Sequence, residues 1–369
     1  LVSARLIQGI GAAMTLPAAL SVLTTTFQEG TDRHTALGVW GGVAGLASAV
    51  GVLLGGIITE GPGWRWVMFI NPVICVLLLP AVYRLIADDR RKAPSRVNFD
   101  VLGTVVATGS MLLLVYTLVE APDVGWGTGR TISGLAGAVA LLIAFLVTEA
   151  RSRNPLVPLS IFKVRGLAAA NATQLIAFAG FVSMFFFLTL YMQNVLGYSP
   201  IKTGLAYLPL CFAIGMSAGI SSQLIAKVGT RPLIVVGAAV TAAGVILLSR
   251  IPVDVPFVSD LLPGMLVLSF GIGAVFVAVA TAANAGVPSE QAGLAAALLN
   301  SAQQIGGVLG LAVLTAIGTA RTNDVLATRA AMPDALTEGF QRSLLVGSIF
   351  LLAAAVIGLR VTNTHEVEA

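Results

Sequence analysis

The chain has 369 residues, of which 57% are apolar and 10% are charged, and its mean hydropathy is +0.93. This composition excludes a water-soluble globule, because so few charges cannot cover the surface of a folded chain of this length. The net charge of +4 does not indicate a nucleic-acid-binding protein, since the basic residues separate long apolar runs instead of clustering on a polar domain. The sequence therefore predicts an all-α polytopic membrane protein whose solvent is the lipid bilayer.

Eleven apolar runs are long enough to cross a membrane as helices. A bilayer core of about 30 Å requires roughly 20 helical residues. The runs cover residues 2–26, 36–59, 66–86, 101–120, 131–150, 168–192, 203–225, 232–249, 260–283, 292–319 and 342–361. Membrane-spanning strands are excluded, because these runs are about twice the length of a tilted barrel strand and lack period-two alternation.

Lysine and arginine are concentrated in alternate connections, and this asymmetry predicts the orientation. The richer set contains the basic residues of segments 84–96, 151–165 and 227–231, together with Arg33 and Arg360. Since Lys and Arg are retained on the cytoplasmic side during insertion, we expect this set to be cytoplasmic. The first helix then runs from outside to inside, and the C-terminal tail is cytoplasmic.

The connections divide the chain into four parts. Two longer connections, 84–100 and 149–166, bracket a pair of helices with few polar residues. We therefore predict three helices of an N-terminal bundle in 1–86, cytoplasmic linkers with two extra transmembrane helices in 87–167, a six-helix bundle in 168–361 and a cytoplasmic tail in 362–369. A bundle of three helices facing a bundle of six is incomplete, because the two halves would be unequal.

Arg5 is the only ionisable residue set within a spanning run. Each of the 17 acidic residues lies in a connection, at a helix end or in the tail. A charge at the bilayer centre costs at least about 3 kcal/mol and is normally retained only for a task. At 100° per residue, Arg5, Gln8 and Gly9 share one stripe, which suits a close-packing or cavity-lining face. The alternative is that Arg5 extends to the lipid headgroups.

Other stripes combine small, polar or aromatic side chains. Gly51 and Gly55, with Gly56 beside them, allow close approach of two helices, either as a packing seam or as part of a mechanism. The sixth and tenth runs carry amides and aromatics, which either tie helices together or line a substrate cavity. The candidate cavity residues are Asn171, Gln174, Phe178, Tyr191, Asn300, Gln303 and Gln304.

The sequence carries no pattern typical of an enzyme or a metal site. Cys75 and Cys211 lie in separate apolar runs without a second Cys, His or carboxylate at ligand spacing. The glycine-rich stretches lie inside spanning runs and lack the setting of a phosphate loop. We therefore predict no catalytic residue, no metal and no cofactor.

Several segments, in chain order, resemble the major facilitator superfamily of transporters. "ARLIQGIGAAMTLPAAL" resembles the Arg-x-x-Gln-Gly segment of the fourth helix, and "AVGVLLGGIITEGPGWRWVMFIN" resembles the antiporter motif followed by the Trp-Arg-Trp and Phe-Ile-Asn signature. "TGLAYLPL", "LIAKVGTRPLIVVG" and "NAGVPSEQAGLAAALLNSAQQIGGVLGLAV" look like later segments of the same group. The group is the fourteen-helix drug:proton antiporters of the QacA/EmrB type. The resemblance implies that the first three of fourteen helices are missing and would complete a 3+3 repeat.

The resemblance also implies roles for individual residues. Arg5 matches the arginine implicated in proton coupling, with Gln8 and Gly9 completing that motif. Gly51, Gly55 and Gly56 match the antiporter motif, which is thought to seal the region between the fourth and fifth helices of the family against leak. Val52 stands where this motif usually has proline. The second-half cytoplasmic loop motif is matched by Lys227, Gly229 and Arg231, but Ala226 replaces its expected Asp.

The function implied is proton-coupled export of amphipathic, often cationic, compounds across a bacterial cytoplasmic membrane by alternating access. The expected partners are the bilayer, small amphipathic molecules and protons, with no nucleic acid, and the proton gradient is the energy source. We expect a monomer. Two alternatives stay open: a truncated membrane protein that does not transport, and an exporter of a native metabolite or lipid on the same fold.

Overall fold

The computed structural model of the chain describes residues 2–27, 49–85, 100–152, 157–253, 256–287 and 291–364, with single residues 36, 43, 47 and 155. Helices dominate these residues, and none of them forms a strand. The eleven helices are α1 (Val2–Thr26), α2 (Ala49–Val67), α3 (Ile70–Leu85), α4 (Val101–Val124), α5 (Gly129–Arg151), α6 (Leu167–Leu190), α7 (Pro200–Val228), α8 (Thr230–Leu248), α9 (Leu262–Asn284), α10 (Ala292–Ala327) and α11 (Met332–Gly358). The all-helical fold predicted from the sequence is confirmed.

Eight helices in the described part of the chain are long and apolar enough to cross a membrane, or nine if the bent pair α2 and α3 counts as one span. These two helices meet at an angle of 79°. The segment predicted to connect them is itself helical, because a π-helical turn at Thr59–Gly63 continues into Trp64–Val67. Much of the predicted span 36–59 lies outside the described residues.

Helices α10 and α11 extend beyond the spans predicted as 292–319 and 342–361. Polar residues end the apolar run without ending the helix, since Arg321 of α10 and Glu338 of α11 form an ion pair across the two extensions. The chain turns between the helices at Arg329, which has a positive φ of 65°. The bilayer sets the length of the apolar run, whereas intrahelical hydrogen bonds and side-chain pairs set the length of the helix.

Helices α4 and α5 form a hairpin. Asp100 caps α4 by accepting a hydrogen bond from the backbone N of Gly103 at 2.7 Å. Inside the hairpin, the Ser110 hydroxyl donates to the carbonyl of Ala138 at 3.0 Å. Such a bond satisfies a hydroxyl for which lipid offers no partner. Helices α4 and α5 thus pack against each other as a pair in residues 101–151.

Helices α6 to α11 pack around a common core through small residues that let backbones approach. A Cβ on Gly180 of α6 would lie 2.9 Å from the carbonyl of Gly347 on α11. A Cβ on Gly237 of α8 would lie 2.8 Å from the carbonyl of Gly271 on α9. Close packing of this kind holds membrane helices together where no water drives them to associate.

Candidate functional site

The stripe of Arg5, Gln8 and Gly9 is exposed on α1. The Arg5 guanidinium donates from Nη1 to Gln8 Oε1 at 2.8 Å, and its Nη2 lies 2.9 Å from Met68 Sδ. A Cβ on Gly9 would meet no atom within 4 Å. Among the described residues, no carboxylate forms an ion pair with Arg5. The geometry therefore presents a hydrogen-bonded cation on an open helix face.

The glycines of the second run divide into open and packed positions. A Cβ on Gly51 or Gly55 would meet nothing within 4 Å, whereas one on Gly56 would lie 2.6 Å from the carbonyl of Pro200 on α7. One turn away, a Cβ on Gly204 of α7 would lie 3.1 Å from the carbonyl of Val52. Gly56 and Gly204 thus define a backbone contact between α2 and α7, which we name the α2–α7 seam.

Glu60 extends the α2–α7 seam, although no sequence motif assigns it a role. Its Oε2 accepts a hydrogen bond from the backbone N of Ile201 at 3.0 Å, so a carboxylate from one segment caps the first turn of α7. Hydrogen bonds from the Ser199 hydroxyl and the Ile201 backbone lower the pKa of Glu60, which is exposed and lies outside both predicted spans. No local sequence signal links residues 141 positions apart.

Asn171, Gln174 and Phe178 lie on one face of α6, as their spacing predicts. The face continues through Phe181 and Phe185 and meets aromatic residues of two other helices. Phe276 of α9 lies 5.6 Å from Phe178 and 5.3 Å from Phe181 between ring centroids. Tyr207 of α7 stacks on Phe185 at 5.0 Å. We name this set the aromatic face: Phe178, Phe181, Phe185, Tyr207 and Phe276.

The amides beside the aromatic face have unused hydrogen-bonding capacity. Gln174 is 4% exposed, and its Oε1 has no protein hydrogen-bond partner. The Oδ1 of Asn171 is likewise unpartnered, although its Nδ2 donates to the carbonyl of Leu167 at 3.0 Å. A buried carbonyl oxygen without a partner costs about 1–3 kcal/mol. These two oxygens therefore favour a ligand or water that can donate hydrogen bonds.

The other predicted cavity residues are Tyr191, directly after α6, and three amides of α10. Tyr191 is 1% exposed, and its hydroxyl donates to the carbonyl of Pro252 at 2.6 Å. Gln304 lines a cavity of about 200 Å³ between α10 and the α4 residues Met111, Leu114 and Val115. Asn300 and Gln303 are half-buried on α10. A cavity of about 620 Å³ between the C-terminal part of α10 and the N-terminal part of α11 contains none of the predicted residues.

The loop motif of Lys227, Gly229 and Arg231 joins α7 to α8. Gly229 has a φ of 80°, a conformation that glycine adopts without strain. Arg231 donates from Nε to the carbonyl of Val361 at 2.8 Å, and its backbone N donates to Asn363 Oδ1 at 3.0 Å. Lys227 is exposed. The structure thus brings two motif residues into contact with the segment after α11, which the sequence did not indicate.

The helical architecture, with eight or nine candidate membrane spans in the described residues, is that of a multi-pass membrane protein. A family model described as "Major Facilitator Superfamily" matches residues 1–311, and the chain belongs to this superfamily. No group of three or more His, Cys, Asp or Glu residues in the described ranges is arranged to hold a metal ion.

The chain is similar to several exporters and resistance proteins. It is 36% identical over 357 residues to the puromycin resistance protein of Streptomyces alboniger, covering 96% of this chain and 70% of that protein. It is 36% identical to the tetracenomycin C resistance and export protein of Streptomyces glaucescens, covering 87% and 59%. It is 35% identical to the cephamycin export protein of Amycolatopsis lactamdurans, covering 97% and 72%. The chain thus spans about three fifths to seven tenths of these relatives.

One solved structure has the same fold. A bacterial homolog of the human lysosomal transporter Spinster, in an inward-facing and unoccupied conformation, superposes with a TM-score of 0.53 at 14% sequence identity. The match covers 92% of this chain and 73% of that chain.

Proposed function

We propose that the complete protein exports amphipathic, antibiotic-like compounds by alternating access, driven by the proton gradient across a bacterial cytoplasmic membrane. Membership of the major facilitator superfamily and relatives named for antibiotic resistance or export support this proposal. We further propose a fourteen-helix protein in which three helices precede α1 and complete the N-terminal bundle. The greater length of the relatives and the open face of α1 support this arrangement.

The α2–α7 seam is the observation that carries the proposal. Alternating access requires two bundles that contact each other and separate as the cavity changes sides. Gly56 and Glu60 bring α2 against the first turn of α7, and by the predicted orientation this contact is at the outer side. The seam therefore acts as an outer gate that is closed when the cavity opens to the cytoplasm.

The aromatic face is the proposed substrate-binding surface. Phe178, Phe185 and Phe276 are half-buried, so their rings offer apolar surface to a planar compound beside the buried Phe181 and Tyr207. The unpartnered oxygens of Asn171 and Gln174 offer two hydrogen-bond acceptors beside it. An amphipathic molecule with an aromatic ring and a donor group fits both features.

Proton coupling is assigned to Arg5, with its carboxylate partner on a preceding helix. The guanidinium already holds Gln8 but has donors left, and its face on α1 is open. A proton entering from outside would neutralise the carboxylate and release Arg5. Proton binding shifts the equilibrium between the two access states only by the difference in proton affinity between those states. The protein functions as a monomer, with a cytoplasmic C-terminus and no cofactor.

Efflux from cells that carry the complete gene tests the proposal. Cells loaded with a fluorescent amphipathic cation should export it against its gradient, and an uncoupler should stop the export. Efflux that an uncoupler leaves unchanged contradicts proton coupling. If the cells export none of the drugs tested but do export a cellular metabolite or lipid, the result favours the alternative substrate class. Absence of any transport favours a non-transporting membrane protein.

A further inference from the structure

The segment after α11 packs against the beginning of α8. Residues 361–364, which we name the C-terminal strap, leave the end of α11 and run beside the turn between α7 and α8. Val361 is fully buried, and the following residues exchange hydrogen bonds with Thr230 and Arg231. The strap therefore packs as part of the bundle.

The C-terminal strap supplies the cap that α8 lacks locally. Gly229, at the N-terminal cap position of α8, has no side chain to accept from the first free backbone N–H groups. The carbonyl of Thr364 accepts from the backbone N of Thr230 at 3.0 Å, and Asn363 Oδ1 accepts from the backbone N of Arg231 at 3.0 Å. Two orphan donors are thus satisfied by residues about 130 positions later in the chain.

The strap also fixes the side chains of the loop motif. Arg231 donates from Nε to the carbonyl of Val361 at 2.8 Å. The Thr230 hydroxyl donates to the carbonyl of Thr362 at 3.0 Å. The motif arginine and the beginning of α8 are therefore held by one short segment.

Two glycines with positive φ leave room for the strap. A Cβ on Gly229, where φ is 80°, would collide with the side chain of Asn363. A Cβ on Gly166, where φ is 89°, would collide with Thr362, whose hydroxyl donates to the carbonyl of Arg165 at 2.8 Å. The strap therefore ties the beginnings of α6 and α8 to the end of α11.

We propose that Asn363 is a positioning residue for transport. Its side-chain oxygen holds the loop motif and the first turn of α8, so that the cytoplasmic ends of α6, α8 and α11 move as one body when the access state changes. This inference rests on the proposed transport function and extends it to a residue outside the motifs. Asn363 acts through Arg231 and does not contact substrate.

Accessibility of the strap tests this proposal without requiring transport. The reporter is Val361→Cys in the complete protein with every other cysteine, Cys75 and Cys211 among them, replaced by serine, and it is labelled by an impermeant maleimide in inside-out vesicles. Asn363→Leu keeps the number and branching of the side-chain heavy atoms but removes the acceptor, and it should speed labelling about three- to tenfold, the effect of one lost hydrogen bond. Asn363→Asp keeps the acceptor and suits a helix N-terminus, so labelling should stay at the reference rate.

Asn323→Leu, at an exposed site on α10, is the matched control and should leave labelling unchanged. Reference-rate labelling in Asn363→Leu overturns the proposal, as does equally fast labelling in Asn363→Asp. The maximal efflux rate should fall in Asn363→Leu at unchanged apparent KM and return in Asn363→Asp. Faster labelling with unchanged efflux overturns the positioning role. Efflux that ignores an uncoupler overturns proton coupling alone and leaves the labelling result to decide on Asn363.

Discussion

Arg5 and Glu60 are charged side chains with different kinds of partner. Arg5 is held by the side-chain oxygen of Gln8 on its own helix, at 2.8 Å. Glu60 accepts from backbone and hydroxyl donors at the beginning of α7. A guanidinium only donates hydrogen bonds, whereas a carboxylate only accepts them. The two residues are therefore proposed to act in transport by different means.

Arg5→Ala should abolish proton-coupled efflux while leaving membrane insertion intact. The change removes the one cation of the α1 stripe together with its contacts to Gln8 and Met68, while the surrounding helix face is exposed. Efflux rate and membrane abundance are the measurements. Arg250→Ala, at another exposed arginine, is the control and should transport normally. Wild-type efflux in Arg5→Ala would show that Arg5 only reaches the headgroups.

Glu60→Ala should lower the melting temperature of the complete protein by an amount that is constant from about pH 6 to pH 8. The pKa of Glu60 lies below its ordinary value of 4.5, so the carboxylate is charged throughout that range. Because folding lowers the pKa of Glu60, its ionised carboxylate stabilises the folded state at pH values above the ordinary pKa. This stabilisation is lost as the pH falls through the lowered pKa.

Thermal unfolding of both proteins across pH measures this effect, with Asp324→Ala as an exposed control. A difference that changes between pH 6 and pH 8 would contradict the assigned hydrogen bonds. It would instead make Glu60 a group that titrates near neutral pH.

Helix α6 is the element that meets four neighbouring helices, α7, α9, α10 and α11, through three different faces. Gly306 and Gly310 of α10 lie against its backbone at Leu175 and Ala179. Gly180 faces α11, and the aromatic face meets α7 and α9. Its hydrophobic pattern shows no single apolar side, because every face is covered by protein or lipid. The helix can therefore hold a binding surface while its other faces stay fixed.

Phe276→Ala should weaken export of planar aromatic compounds, raising the apparent KM several-fold. The substitution removes ring contacts with Phe178 and Phe181, each of which is worth about 0.5–1.5 kcal/mol. Transport kinetics for planar and non-planar substrates are the measurement. Phe212→Ala is the control, because that ring is 75% exposed on α7. An equal loss for both substrate types would assign Phe276 to packing alone.

At the scale of the whole molecule, the α2–α7 seam joins α2 to the six-helix bundle. Its described contacts are those of Gly56 and Glu60 with the first turn of α7 and that of Gly204 with Val52. At Gly56 and Gly204 the seam brings backbone against backbone, and Glu60 adds a hydrogen bond to the first turn of α7. Contacts of this kind suit an interface that forms and breaks in each cycle.

Gly56→Ala should destabilise the closed seam, whereas Gly51→Ala should not. The added methyl at Gly56 meets the Pro200 carbonyl at 2.6 Å, and overpacking of this kind costs about 1–3 kcal/mol. Gly51 has open space within 4 Å, so it is a matched control on the same helix. Thermal unfolding and efflux rate are measured for both variants. Equal behaviour of the two variants would contradict the gate assigned to the seam.

The sequence by itself determined the helical class and the superfamily, whereas only eight of its eleven predicted spans are single helices of the described residues that are long and apolar enough to cross a membrane. Apolar length and the absence of interior carboxylates are local properties, so they can be read from the chain alone. The motif residues Arg5, Gln8 and Gly9 were also identified, and their proposed role remains a prediction. The same reasoning grouped Asn171, Gln174 and Phe178 correctly on one face, because helical spacing fixes which residues share a stripe.

Only the tertiary structure decided which stripes face each other. Gly51, Gly55 and Gly56 look alike in the sequence, yet Gly56 alone meets α7. Phe276 and Tyr207 join the aromatic face from other helices, and Asn363 caps α8 from the far end of the chain. In a membrane every helix is apolar on several sides, so the hydrophobic pattern does not specify a partner. Backbone approach and the satisfaction of buried polar groups make that choice.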